Sequence, residues 1–340
     1  MDKAKGKRKK VKVNHRNTIR LFLHSVLLIF AFCLFTSCDR SASSSPLKLQ
    51  LNWKAEPQFG GFYAAQVNGE YEKNGLKVEI TQGGAGAPTT DMLGAGTVPF
   101  AIVSADEIVR ARAKGNGLVA LFAVYQTNPQ GIMTRASRGF TTIEDIFTHP
   151  GTLAMERGLS YSEFLQKRYG FDKLKIVPSP YGDLSIYRTD ENYAMQCFVT
   201  SEPLAAKKIG IEPKTFLIAE SGYNPYTTVL ATTGSYLKSN PAVVKSMVLA
   251  VRAGWKAYLD DPTKTNDAMA KLNPTMDPET FRNSAEAQRP LILTESPDGS
   301  DLGNMSLPRW ETLIKQLVDT RIIEQPIPAA ECFVDVAKLP

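Results

Sequence analysis

The sequence predicts an α/β protein of two doubly wound lobes joined by a two-segment hinge. Three observations carry this. Short apolar runs with strand periodicity alternate with helical patterns from residue 47 onward. About 300 residues remain once an N-terminal leader is set aside, more than one core usually serves. A strand at 227–232 follows a complete second set of strands and helices and returns to the first set, so two segments cross between lobes. Residues 47–132 with 229–340 form lobe I, and 133–228 form lobe II.

The leader stands outside the fold. Residues 1–20 hold nine Lys/Arg against one acid, Asp2. The apolar run 21–35 has the length of a signal-peptide core, short of the roughly 20 residues that span a bilayer. Phe35-Thr36-Ser37-Cys38 resembles a bacterial lipoprotein cleavage site, with Phe35 where Leu is usual. Residues 1–38 are therefore expected to be a signal peptide and Cys38 to be lipidated. An ordinary secretory cut or an uncleaved anchor is the alternative. Residues 39–46 end in SASSSP, a flexible tether. The full chain carries +6, the leader +8, and residues 39–340 therefore −2. The basic balance belongs to the leader, and no nucleic-acid partner is expected. His149 is the one histidine beyond the leader, in a turn-like FTHPG, and Cys197 and Cys332 are the cysteines left after Cys38. No zinc spacing is present, no metal or cofactor is expected, and Cys197 and Cys332 are not expected to pair.

Residues 47–51 alternate Leu49 and Leu51 with polar neighbours, a first strand. A loop with Trp53, Pro57 and Phe59 follows. Gly60-Gly61 then open a helix over 62–74, stopped by Asn74-Gly75. A loop at the carboxyl end of a first strand is where open α/β sheets place ligands. Trp53, Phe59 and Tyr63 can face a flat ring there, and the glycines let the backbone come close; alternatively the aromatics pack beneath the loop. Residues 76–80 are the second strand. Gly83, Gly84 and Gly86 make a permissive loop before a short helix from Pro88. Its first amides suit a small anion or ring substituent, or plain turn chemistry, and no Lys-Ser/Thr pair marks a nucleotide-phosphate loop. Residues 100–103 are the third strand, with Ser104 or Asp106 capping a helix over 107–114. Residues 119–125 are the fourth, with Tyr125 and Gln126 at its cleft end.

Lobe II opens with a helix over 141–147 and a strand over 152–155 that ends in Glu156-Arg157. Ser160 and Glu163 have the spacing of a capping box for the next helix. A strand over 174–178 leads to Tyr181 and Asp183, which face the cleft or make an ordinary turn. After a strand over 194–199, Thr200-Ser201-Glu202-Pro203 starts a helix, with Glu202 beside its positive end. A strand over 215–219 precedes the return crossing, flanked by Tyr223 and Tyr226. Helices over 241–260, 267–272, 278–287 and 307–319 complete the chain. The stripe from Val243 to Tyr258 at helical spacing is core rather than site.

The segments LNWKAEPQFGGFYAA, GLKVEI, TSEPLAAKKIG, SGYNPYTTVLATT and RAGWKAYLDDP resemble the NMT1/THI5-like family of periplasmic solute-binding proteins, over nearly all of the chain from Leu47 to the last helix. The resemblance implies a two-lobed, type II periplasmic-binding-protein fold. It implies the substrate-binding lipoprotein of an ABC importer, exported, lipid-anchored and monomeric, with permease and ATPase subunits as partners. It points to a pyrimidine precursor of thiamine as ligand; an alkylsulfonate or taurine-like anion is the alternative. By resemblance, Glu202 of SEP matches the acid that hydrogen-bonds ring amines, and the strand end at Ser104 touches ligand. The expected ligand-binding set is Trp53, Phe59, Tyr63, Gly84, Ser104, Tyr125, Arg157, Tyr181, Glu202 and Tyr226, with Arg157 the candidate for an anion. The fungal relatives make the thiamine pyrimidine with a cysteine-rich iron motif and a histidine. Here MQCFVTSEP holds one cysteine and no histidine, so an enzyme is not expected. A ligand-sensing partner of a membrane signalling protein shares the same fold and is the remaining alternative.

Overall fold

The computed structural model describes residues 45–294, 296 and 298–338. The expected signal peptide, most of the tether and Cys38 lie outside the described residues. The strands are β1 Leu47–Gln50, β2 Val78–Thr81, β3 Phe100–Val103, β4 Leu118–Tyr125, β5 Gln130–Arg135, β6 Gly151–Ala154, β7 Leu174–Val177, β8 Tyr193–Phe198, β9 Pro213–Leu217 and β10 Thr227–Thr233. They form two five-stranded sheets, ordered β2-β1-β3-β10-β4 and β7-β6-β8-β5-β9. In the first, β1 runs parallel to β2 and β3, while β10 lies antiparallel to β3 and β4. The second repeats the scheme: β6 is parallel to β7 and β8, and β5 is antiparallel to β8 and β9. Each antiparallel strand is the one that has just crossed from the other lobe.

Both faces of the first sheet are buried, as a doubly wound sheet requires. Phe100 and Ile102 of β3 pack in one cluster with the helix Pro241–Asp260. Ala101 and Val103 pack in another with the helices Ala105–Ala113 and Leu307–Asp319. Strand β4 is buried at all eight residues although it lies at an edge. C-terminal residues cover that edge, Phe333 bridging to Ala120 and Gly303 to Ala123.

Several expectations shift. The boundary expected at 132/133 falls inside β5, which pairs with second-sheet strands from Gln130 on. The crossings are therefore the short segments 126–129 and 222–226. A hydrogen bond joins them, from the Asn128 N–H to Asn224 Oδ1 at 2.8 Å. The helix expected over 62–74 is two, Gly60–Val67 and Glu70–Lys73, because Gly69 takes φ +70° between them. The capping box at Ser160 does not form. The helix Ser160–Tyr169 starts at Ser160 itself, whose side chain is buried, and Leu159 holds the cap position. A capping box does form at Ser104, whose N–H and hydroxyl both donate to Glu107 Oε2, at 2.7 and 2.9 Å. Cys197 and Cys332 are buried and free.

Candidate functional site

The carboxyl ends of all six parallel strands, β1–β3 and β6–β8, converge on one cavity of about 320 Å³, the position that open α/β sheets reserve for ligands. Lobe I supplies Asn52, Trp53 and Glu56 after β1, Gly84–Ala87 after β2, and Ser104, Asp106, Glu107 and Arg110 after β3. Lobe II supplies Glu156 after β6, Ser179, Tyr181 and Gly182 after β7, and Gln196–Phe198, Ser201 and Glu202 from β8 onward. The crossings add Asn128, Tyr223 and Pro225, and Gln130 opens β5 beside them.

The structure thus brings together five of the ten residues expected at the site: Trp53, Gly84, Ser104, Tyr181 and Glu202. Trp53 and Tyr181 meet across the cleft with ring centroids 6.2 Å apart and planes tilted by 31°. Tyr181 reaches this place through a left-handed backbone, φ +49°, beside Gly182. The other five lie elsewhere. Phe59 forms part of a short 3-10 turn, Pro57–Phe59, and is buried in the lobe I core. Tyr63 sits one helical turn further on and is buried in the same core. Tyr125 is fully buried and its hydroxyl donates to Gln288 Oε1 at 2.7 Å. Tyr226 is buried, its hydroxyl accepting from the Ser306 N–H at 3.0 Å under the Arg309 guanidinium. Arg157 is exposed outside the cavity and donates to the Ile176 carbonyl. The glycine pair also serves packing: a Cβ on Gly60 would lie 2.1 Å from the Tyr258 ring, and one on Gly61 2.1 Å from the Trp255 ring. Those two glycines admit the helix Pro241–Asp260, not a ligand.

The walls carry five carboxyls, Glu56, Asp106, Glu107, Glu156 and Glu202, against one guanidinium, Arg110, among the described residues. Glu56 was not anticipated. Its Oε1 accepts from Trp53 Nε1 at 3.1 Å. Burial, and next the charge of Glu202 from the opposite lobe, push its pKa up to about 7. Glu202 is also raised, by burial, although its Oε2 accepts from the Phe198 N–H at 2.8 Å. Burial raises Glu107, with Asp106 adding to it, and burial raises Glu156. Burial, with Glu202 beside it, keeps the Cys197 thiol protonated far above neutral pH. Arg110, Gln130 and Gln196 were likewise not anticipated. The helix after β3 gave a usable hint, since Asp106, Glu107 and Arg110 share its first turns at a strand end.

A profile of the NMT1/THI5-like family matches residues 56–265. The chain is 20% identical over 335 residues to the formylaminopyrimidine-binding protein of Halalkalibacterium halodurans, covering 92% of this chain and 98% of that protein. Over 106 residues it is 28% identical to the 4-amino-5-hydroxymethyl-2-methylpyrimidine phosphate synthase of Legionella pneumophila, covering 31% of this chain and 34% of the synthase. Among solved structures it is similar to the periplasmic aliphatic sulphonate binding protein SsuA of Escherichia coli, with a TM-score of 0.64 and 13% identity over 86% of this chain and 93% of that one. With the profile spanning more than half of its residues and a two-lobed periplasmic-binding-protein fold around the cleft, the chain belongs to the NMT1/THI5-like family.

Proposed function

We propose that this protein is the substrate-binding component of an ABC importer and holds a small heteroaromatic compound rich in hydrogen-bond donors, an aminopyrimidine of the thiamine-precursor type. The observation that carries this is the acidic interlobe cavity, in which Glu56 is hydrogen-bonded to the Trp53 indole and interacts with Glu202 of the other lobe. An ionised carboxylate only accepts hydrogen bonds, so walls this rich in carboxyl groups select ring amines and disfavour anions, with Glu56 gaining its charge as pH rises through about 7. The aromatic wall supplies apolar contact and stacking. The name of the full-length relative, a formylaminopyrimidine-binding protein, favours the same reading. In this account the chain is exported, is lipid-anchored through Cys38 and acts as a monomer beside a permease and an ATPase. In this reading it binds and does not catalyse, which the name of its full-length relative, a binding protein, favours.

A sulfonate is the second reading, favoured by Arg110 in the wall and by the fold likeness to SsuA. Calorimetric titration with an aminopyrimidine separates the two. Trp53→Ala and Glu202→Ala should each weaken pyrimidine binding at least tenfold with the melting profile of the empty protein retained. Unchanged affinity in both variants would remove the proposed pocket.

A further inference from the structure

Gln196 lies on β8, in the wall of the cavity, six residues before Glu202. Its side-chain oxygen is committed twice. The Glu156 backbone N–H donates to Oε1 at 2.6 Å, and the Tyr161 hydroxyl donates to the same atom at 2.6 Å. A backbone N–H can only donate, so the atom that faces it is the amide oxygen, and the usual ambiguity of a glutamine's orientation is removed. The NH₂ end is then the remaining polar end of a side chain that lines the cavity. Among the described residues, no protein group accepts a hydrogen bond from it. In walls dominated by carboxyl acceptors, this is a neutral donor held in place by two bonds to the opposite end of its own amide.

We propose that Gln196 is a specificity-determining residue: its oriented NH₂ requires the ligand to carry a neutral acceptor, a carbonyl oxygen or an unprotonated ring nitrogen, beside the donor edge that meets the carboxyls. The proposal rests on the ring-binding reading above. A compound with donors alone would bury this NH₂ unpaired, which a site built for hydrogen bonding discriminates against strongly. A compound with both features satisfies Gln196 and the carboxyls together. The ligand class is thus narrowed from cationic amines in general to amino-substituted heterocycles with a carbonyl-bearing or ring-nitrogen acceptor.

The test uses the full-length chain and two probes, an aminopyrimidine and the aminobenzene of the same substitution, which keeps the amine but lacks the ring-nitrogen acceptors, titrated by calorimetry at one pH. The wild type should prefer the aminopyrimidine at least tenfold. Gln196→Glu keeps an acceptor for both Glu156 and Tyr161 but replaces the donor by a carboxylate oxygen, and should invert the preference. Gln196→Met removes the donor without adding charge and should bring the two affinities within about threefold of each other. Melting curves of the empty variants establish that each is folded, and the ratio in either folded variant decides. Equal or tighter wild-type binding of the aminobenzene, or an unchanged ratio in the folded variants, overturns the role of Gln196 while leaving the ring-binding reading in place. No binding of either probe to the wild type overturns both.

Discussion

Glu56 and Trp53 act as a unit, since one oxygen of the carboxyl is held by the indole N–H, and the pair explains a property that neither residue has alone. The carboxyl titrates near 7 because it is buried and because Glu202 faces it. Its folded pKa lies above the ordinary value of 4.5, so the folded protein holds the extra proton between about pH 4.5 and 7. The associated stability is fully present below that window and is lost as pH rises through 7. Denaturant unfolding of the empty protein should therefore show stability falling by on the order of 3 kcal/mol between pH 5 and 8, and Glu56→Gln should flatten that fall. If an amine ligand needs the ionised form, its affinity should rise about tenfold from pH 6 to 8 in the wild type and stay level in the variant. Trp53 and Glu202 were legible in the sequence because each follows a strand end in a recognisable motif. Phe59, Tyr63, Tyr125 and Tyr226 were not, because a buried aromatic and a ligand-facing aromatic look alike until the helix phase and the packing partners are known. Glu56 went unremarked because nothing local reveals that an acid from the other lobe will face it.

At the level of elements, the opening of the first helix is fitted to the long helix Pro241–Asp260. Gly60 and Gly61 lie against Tyr258 and Trp255, and Gly254 on the long helix would place a Cβ 2.2 Å from the Gly61 carbonyl. The two backbones touch with no room for a side chain on either side. Gly61→Ala should cost about 1–3 kcal/mol by overpacking, read as a lower melting temperature, and should weaken binding only through the displaced Trp53 loop. The sequence displayed this glycine pair but not its partner, because the contact joins residues nearly 200 positions apart. Short-range devices were read with mixed success. Ser104 caps its helix as expected, while Ser160, with the same spacing to an acid, is turned into the core. Burial of the hydroxyl overrides the capping pattern.

The whole molecule is two lobes that meet at the cavity and again at its flank. The helix Pro278–Ile292 is fixed to lobe I, where Gln288 accepts from Tyr125 and donates to the Pro57 carbonyl. The same helix reaches lobe II. Ser284 donates to the Thr200 carbonyl, and Lys208 Nζ lies 2.6 Å from Asp277 Oδ1, 3.2 Å from Glu279 Oε2 and 2.8 Å from Thr280 Oγ1. Lys208 holds the Asp277 carboxyl well below the usual carboxylate range. This latch ties the lobes together beside the site. A single half-exposed ion pair contributes little, about 1 kcal/mol or less, but it acts directly on closure. Lys208→Ala should enlarge the empty protein in small-angle scattering and weaken binding roughly three- to fivefold, with added salt reducing the difference. The two-lobed plan was legible from the alternation of strands and helices and from the return strand near 227. The lobe boundary was misplaced by a few residues because residues 130–135 were not read as a strand, and the pairing of β5 with β8 and β9 places it in lobe II.

The proposed function needs an acidic, aromatic cleft that selects a donor-bearing ring over an anion. Of the three tryptophans, Trp255 and Trp310 are fully buried, and Trp53 stands in the cavity wall. Tryptophan fluorescence titrated with a hydroxymethyl aminopyrimidine, and separately with ethanesulfonate, therefore reports on the site itself. The predicted result is a saturable change with the pyrimidine, absent in Trp53→Phe, and no change with the sulfonate. A saturable response to the sulfonate with none to the pyrimidine would rule out the ring-binding reading.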